Sequence, residues 1–179
     1  MTTYSEEETR AIGYALGVQV PESTVICFFG DLGVGKTSLI KGIVAGATGH
    51  SVEEVVSPTF AYLNIHFGIK TVYHFDLYRL HHGDEFLSMG FDDYFYAGGI
   101  CCIEWSEKIE AFLPAGCLTI RMRHVNNSKR EILFGDQIEV TFMDSKPSSF
   151  DLVEANKERT SSSAANAFLL SKNIKINLM

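Results

Sequence analysis

At 179 residues, 46% of them hydrophobic, the chain has the length and composition of one domain with a full core and a tail. Its formal net charge of −7 argues against broad, non-specific nucleic-acid binding, which relies on basic surface, while leaving room for a small local basic site. The start is polar and acidic with no secretory signal, and no apolar run approaches the roughly 18 residues of a membrane span, so a soluble cytoplasmic protein is expected. Cys27, Cys101, Cys102 and Cys117 all lie in apolar runs without C-x-x-C spacing, which reads as buried, reduced thiols.

The first element is a helix. Ser5-Glu6-Glu7-Glu8 has the spacing of a capping box, Ala11, Ile12, Ala15 and Leu16 form an apolar stripe, and Gly17 is placed to end it. Residues 24–29 are a continuous apolar, β-rich run, the form of a strand buried on both faces. Gly30-Asp31-Leu32-Gly33-Val34-Gly35-Lys36-Thr37 follows and fits G-x-x-x-x-G-K-[ST] at every fixed position. Beyond it, Leu39, Ile40, Ile43 and Val44 fall at helical spacing, so the context is strand, glycine loop, helix.

That context is what phosphate binding needs. Glycines allow a tight loop whose N–H groups turn inward, and the helix N-terminus behind them adds unpaired donors and a positive dipole end. The loop amides from Asp31 to Ser38 would cradle the phosphates, Lys36 would reach the β- and γ-phosphates, and the Thr37 hydroxyl would ligate Mg²⁺. The first helix enters just ahead of this loop, so Glu6 has two readings: a solvated cap, or a contact to the nucleotide base.

Residues 46–57 read as a loop closing on Ser57-Pro58-Thr59-Phe60, in which Pro58 stiffens the turn and fixes the direction of the Thr59 hydroxyl. Such a hydroxyl suits a γ-phosphate-sensing switch; a plain capped turn is the alternative. Residues 60–67 and 70–76 form a hairpin pattern around Gly68-Ile69, which predicts an antiparallel addition to an otherwise parallel sheet. The second run ends in His74-Phe75-Asp76-Leu77-Tyr78-Arg79-Leu80, placing Asp76 where an acid orients Mg²⁺, water or substrate at a sheet edge. Arg79 pairs either with phosphate, with Asp76, or with a surface carboxylate. The adjacent His81 and His82 face different ways and do not suit one metal.

A short helix is predicted over 84–89, then an aromatic and acidic loop at Gly90-Phe91-Asp92-Asp93-Tyr94, fit to pack on the sheet edge or dock a partner. Ile100-Cys101-Cys102-Ile103-Glu104-Trp105 has the form of a Walker-B strand, four apolar residues and then a carboxylate that needs a cation or strong donors. Capping of the next helix is the other reading of Glu104, and Trp105 is expected to pack behind the site. Residues 107–113 read as helical. In 117–124, Leu118, Ile120 and Met122 alternate inward, 126–128 turn the chain, and 132–134 and 138–142 are late strands. Lys129 and Arg130 at that hairpin either approach an adenine or phosphate, or guard a solvated strand edge. From 144 the texture turns to Ser, Lys, Asn and Ala, read as a weakly ordered tail over 144–179 with a short helix near 164–170, beside an ATPase domain over 1–143.

The ordered set of the glycine loop, Ser57-Pro58-Thr59-Phe60, the His74 to Leu80 run, Gly90-Phe91-x-Asp93-Tyr94 and Ile103-Glu104-Trp105 resembles the TsaE (YjeE) family over roughly residues 5–142. The resemblance implies an α/β, P-loop NTPase-like three-layer fold with a mixed sheet. It implies a Mg²⁺-dependent ATPase, weak alone, that acts with TsaB-like and TsaD-like partners in forming N6-threonylcarbamoyladenosine at position 37 of tRNA, meeting tRNA only through the complex. By position, Thr37 and Glu104 would be the Mg²⁺ ligands, Lys36 and the loop amides would hold ATP, Asp76 would assist hydrolysis and Thr59 would belong to a switch-like loop. Glu6, and Lys129 or Arg130, are the positional choices for the base.

Three rival functions remain at this level. A small P-loop kinase would need an arginine-bearing lid, and none stands out between Trp105 and Phe134. A GTPase would need N-K-x-D, but Asn156-Lys157-Glu158-Arg159 has Arg where Asp is required. A nucleotide-dependent scaffold would tolerate loss of Glu104.

Overall fold

The structure, a computed structural model, describes residues 1–126, 129–142 and 174–178. The elements are β1 (Thr2–Thr3), α1 (Glu6–Gln19), β2 (Val25–Phe29), α2 (Lys36–Thr48), β3 (Leu63–His66), β4 (Val72–Asp76), α3 (Gly83–Ser88), β5 (Ile100–Glu104), β6 (Leu118–His124), β7 (Arg130–Phe134), β8 (Ile138–Phe142) and β9 (Ile174–Leu178), with 3₁₀ segments at Val52–Glu54, Phe91–Tyr96 and Ser106–Phe112.

A seven-stranded sheet in the order β1-β7-β6-β2-β5-β4-β3 forms the middle layer. The four central strands, β6, β2, β5 and β4, run parallel, whereas β3 on one side and β7 on the other run against them, and β1, antiparallel to β7, closes that edge. The fold is therefore α/β with a mixed sheet, as the predicted hairpin required. β2, β4 and β5 are buried at every position, which is why they read as apolar runs.

Strand alternation divides the core in two. Ile26, Phe28, Val72, Ile100, Cys102, Leu118, Ile120 and Met122 pack under α1 and α2. Cys27, Phe29, Phe75, Cys101 and Ile103 pack on the opposite face with Phe86 of α3, Phe95 and Ile109. Burial pushes the Cys101 thiol up to about 12 and raises Cys27 and Cys102 as well, so these three are packing groups held in the thiol form.

α1 and α2 cross at backbone contact. A Cβ on Gly13 would lie 2.1 Å from the Leu39 carbonyl oxygen, one on Gly17 2.1 Å from that of Ile43, one on Gly42 2.1 Å from that of Arg10, and one on Gly46 2.2 Å from that of Tyr14. Gly17 thus serves packing inside the helix, which continues to Gln19, and does not end it. Gly46 likewise lies within α2, which closes three residues later on Gly49 at φ 83°. At the start of α1 the Ser5 hydroxyl accepts from the Glu8 N–H at 3.1 Å, as the capping box predicts, while the Glu8 carboxylate reaches the Tyr4 N–H at 2.8 Å.

β3 is shorter than the predicted 60–67 run. The Pro58 carbonyl accepts from the Ala61 and Tyr62 N–H groups, turning 58–62 before the strand can begin. Inside the stretch expected to be a tail, Ile174–Leu178 forms a strand antiparallel to β8, with Ile138 opposite Leu178 and Phe142 opposite Ile174. Ile174 and Ile176 are buried beside α1, and the Gln19 carboxamide both donates to the Ile174 carbonyl and accepts from the Ile176 N–H. This five-residue segment alternates apolar and polar side chains, a strand pattern that the surrounding polar texture masks. The short helix expected near 164–170 lies outside the described residues, as does most of the 126–128 turn.

Two predictions follow from this packing. Gly42→Ala forces the helices apart and is expected to lower unfolding free energy by about 1–3 kcal/mol in urea titrations, without changing the fold seen by circular dichroism. His66 on β3 has a buried Nε2 with no hydrogen-bond partner among the described residues, and burial followed by the neighbouring His74 and His50 pushes its pKa down to about 4. The unfolded chain then binds a proton that the folded one refuses between about pH 6.5 and 4, so stability is full above that window and falls as pH drops through it. His66→Gln should flatten the urea midpoint across the same window.

Candidate functional site

The loop between β2 and α2 sits at the carboxyl edge of the parallel strands, where open α/β sheets build their sites. Gly30 turns the chain at φ 137° against β6, its Cβ position only 2.2 Å from the Met122 carbonyl oxygen. Gly35, the N-cap of α2, sits at φ 105°, a left-handed conformation that favours glycine, with the Arg130 Nε 3.2 Å from where a Cβ would lie. The four N–H groups opening α2 therefore face a cleft instead of a capping side chain.

That cleft has a volume of about 370 Å³ and is lined by residues 32–38 of the loop and helix and by Ser57, Thr59, Asp76, Tyr78, Glu104 and Trp105. Most of the residues singled out in the sequence meet here. Asp31 contributes its carbonyl oxygen, which accepts from Lys36 Nζ at 3.0 Å beside the Gly30 carbonyl. Glu6 and Arg130 stand outside the lining: Glu6 accepts from the Ser38 hydroxyl at 3.1 Å and from Arg10 at 2.5 Å, and Arg130 packs along Gly35 with its Nε buried and unpartnered among the described residues.

Two carboxylates end adjacent parallel strands, with Asp76 and Glu104 directly opposite in register. They have separate partners. Asp76 Oδ2 accepts from the Ser57 hydroxyl at 2.8 Å and the Thr59 hydroxyl at 2.6 Å, and Oδ1 accepts from the Tyr78 N–H at 3.1 Å. Glu104 takes the Thr37 hydroxyl at 2.9 Å from both carboxylate oxygens, and its Oε1 lies 3.0 Å from His74 Nε2. The carboxylate of Glu104 thus points across to α2, and the 3₁₀ segment after β5 has no side-chain cap, which removes the capping alternative.

The ammonium of Lys36 lies 3.7 Å from the centre of the Trp105 ring. Burial lowers its pKa, while Glu104, Glu107, Asp76 and Asp31 act against that fall. Trp105 was expected behind the site; it instead forms the wall over Lys36, with φ 63° and ψ 41°, a left-handed conformation that costs a non-glycine residue about 1–2 kcal/mol. Tyr78 packs against its ring with centroids 5.0 Å apart. Among the described residues Arg79 forms no ion pair with Asp76 or with a surface carboxylate and lies over the Phe60 ring, 5.1 Å from its centre.

The sequence reading passed over His74, Ser57 and Tyr78. Alternation along β4 was the available signal for His74, because it places His74 on the face that carries Asp76 and, one strand away, Glu104. A hydroxyl and a carboxylate side by side, opposite free backbone N–H groups, form a hard-oxygen donor set suited to Mg²⁺ held jointly with phosphate oxygens and water. Among the described residues no group of three or more His, Cys, Asp or Glu could hold a metal ion by itself. No helix of the described residues is long and apolar enough to cross a membrane.

Comparison with known proteins agrees with this architecture. A family model described as "Threonylcarbamoyl adenosine biosynthesis protein TsaE" matches residues 3–132. The tRNA threonylcarbamoyladenosine biosynthesis protein TsaE of Treponema pallidum is 36% identical over 128 residues, covering 72% of this chain and 93% of that one. Its counterpart of the same name in Bacillus subtilis is 37% identical over 134 residues, covering 74% and 82%. The crystal structure of Bacillus subtilis YdiB superposes with a TM-score of 0.63 at 32% identity, covering 75% of this chain and 82% of that one. With a family model spanning most of its length and relatives above 30% identity along more than four-fifths of theirs, the chain belongs to the TsaE family.

Proposed function

We propose that this protein is the ATP-binding and ATP-hydrolysing component of a tRNA N6-threonylcarbamoyladenosine machinery, working with TsaB-like and TsaD-like proteins in the cytoplasm. The observation that carries the reading is the Thr37 hydroxyl held 2.9 Å from both oxygens of Glu104 directly beneath a glycine loop. Membership of the TsaE family and the tRNA-modification names of the relatives support the pathway.

In this reading the triphosphate lies along residues 31–38, with loop N–H groups and the α2 N-terminus binding its oxygens and Lys36 leaving the Gly30 and Asp31 carbonyls for the β- and γ-phosphates. Thr37 and Glu104 would hold Mg²⁺, which supplies charge neutralisation on the phosphate oxygens. Asp76, with Thr59 and Ser57 hydrogen-bonded to it, orients the attacking water and accepts its proton. Glu6, bonded to Ser38, and Arg130, beside Gly35, are the residues this reading assigns to the base or ribose. Catalysis here is positioning and electrostatics, with the activity weak until a partner completes the site. The described residues between Trp105 and Phe134 make a 3₁₀ segment and two strands, with no helical lid, which favours water over a metabolite as acceptor.

Phosphate release measured on the purified protein alone, and mixed with TsaB-like and TsaD-like proteins, should appear chiefly in the mixture. Labelled phosphate carried to a small acceptor would point to the kinase instead. Lys36→Ala should lower release in the mixture by about 100-fold or more, and normal hydrolysis by that variant would refute the site. Asp76→Asn should keep ATP binding in calorimetry while lowering release by about 100-fold or more, because it removes the base and not the phosphate cradle.

A further inference from the structure

Among the described residues His74 is a fully buried histidine that the hydrolytic reading leaves without a task. It lies in the middle of β4, with 0% exposure, at a position whose neighbours along the layer, Val72 and Cys102, are apolar. An apolar residue of similar volume would fill that space without burying two ring nitrogens. Only one nitrogen is satisfied: Nε2 faces Glu104 Oε1 at 3.0 Å, while Nδ1 is buried without a hydrogen-bond partner among the described residues. The His66 ring lies near it, centroids 6.4 Å apart with 30° between the planes.

The two oxygens of Glu104 are not equivalent. Oε1 is shared by Thr37 and His74, whereas Oε2 has the Thr37 hydroxyl alone. An ionised carboxylate only accepts, so the hydrogen of the His74 contact sits on Nε2 and the ring donates. When the Thr37 oxygen lends a lone pair to a cation its single O–H can satisfy only one oxygen of Glu104, and His74 is the other side-chain donor, fixed on Oε1. Resting on the ATP and Mg²⁺ reading above, we infer that His74 is a positioning residue: it pins Oε1 of Glu104 so that Oε2 is presented beside Thr37 to the divalent cation of the bound nucleotide. Groups that orient a ligating carboxylate in this way typically change metal affinity by about 10–100-fold when removed.

The test uses the chain's single tryptophan, Trp105, which lines the cleft, as a fluorescence reporter of ATP binding. ATP is titrated into the wild-type protein, His74→Leu and His74→Gln at a series of Mg²⁺ concentrations and in EDTA, with thermal melts of each. For His74→Leu the Mg²⁺ concentration giving half of the effect on ATP affinity should rise about 10-fold or more, with ATP affinity in EDTA unchanged. His74→Gln, whose side-chain N–H reaches the place of Nε2, should restore most of the wild-type Mg²⁺ response even if its melting temperature falls. The inference is overturned if folded His74→Leu keeps the wild-type Mg²⁺ midpoint, or if His74→Gln is as impaired as the loss of the donor would make it. A wild-type protein that binds no ATP, or binds it without regard to Mg²⁺, refutes the nucleotide reading itself, and a shift confined to the variants separates the two.

Discussion

A carboxylate at the end of a buried strand is the constraint on which this structure turns. Glu104 is 3% exposed and cannot stay ionised there without donors. It finds them on two other elements, the Thr37 hydroxyl at the start of α2 and the His74 ring in β4. One side chain therefore ties the glycine loop, the central strand and its neighbour into a single arrangement. A divalent cation bound beside Thr37 would add a full positive charge next to a carboxylate already aimed at that place, and needs no rebuilding of the backbone.

The rest of the fold keeps those three elements in place. The parallel register sets Asp76 opposite Glu104, and alternation then turns both toward the α2 face. The depth of α2 is fixed by the glycines at which it meets α1, because any larger residue would lift one helix off the other. Through the same contact α1 delivers Glu6 to Ser38 at the rim of the loop. Asp76 has its own partners, Ser57 and Thr59, from the segment ahead of β3, so the two acids are held by different parts of the chain and suit different tasks.

What was legible in the sequence was whatever chemistry is local. The glycine loop carries its phosphate geometry in fixed spacing, and the apolar run before Glu104 announces a buried strand with a charge at its tip. The central sheet was legible for the same reason, since strands covered on both faces need unbroken apolar runs. Long-range consequences were not. Gly13, Gly17, Gly42 and Gly46 look like helix weaknesses until a second helix is brought against them. His74 looks like one more strand residue until register sets it beside Glu104. The left-handed turn at Trp105 has no local signature in a non-glycine residue, so its place over Lys36 emerged only in three dimensions. The Ile174–Leu178 strand was hidden by the polar stretch before it, although its own alternation is regular.

A crystal structure of the full chain with a non-hydrolysable ATP analogue and Mg²⁺ tests the central claim most directly. The account predicts triphosphate density along residues 31–38, Lys36 Nζ moved from the Gly30 and Asp31 carbonyls onto phosphate, and the metal between Thr37 and Glu104. An empty loop, or a metal held by Asp76 with Glu104 still hydrogen-bonded to the Thr37 hydroxyl, would contradict it.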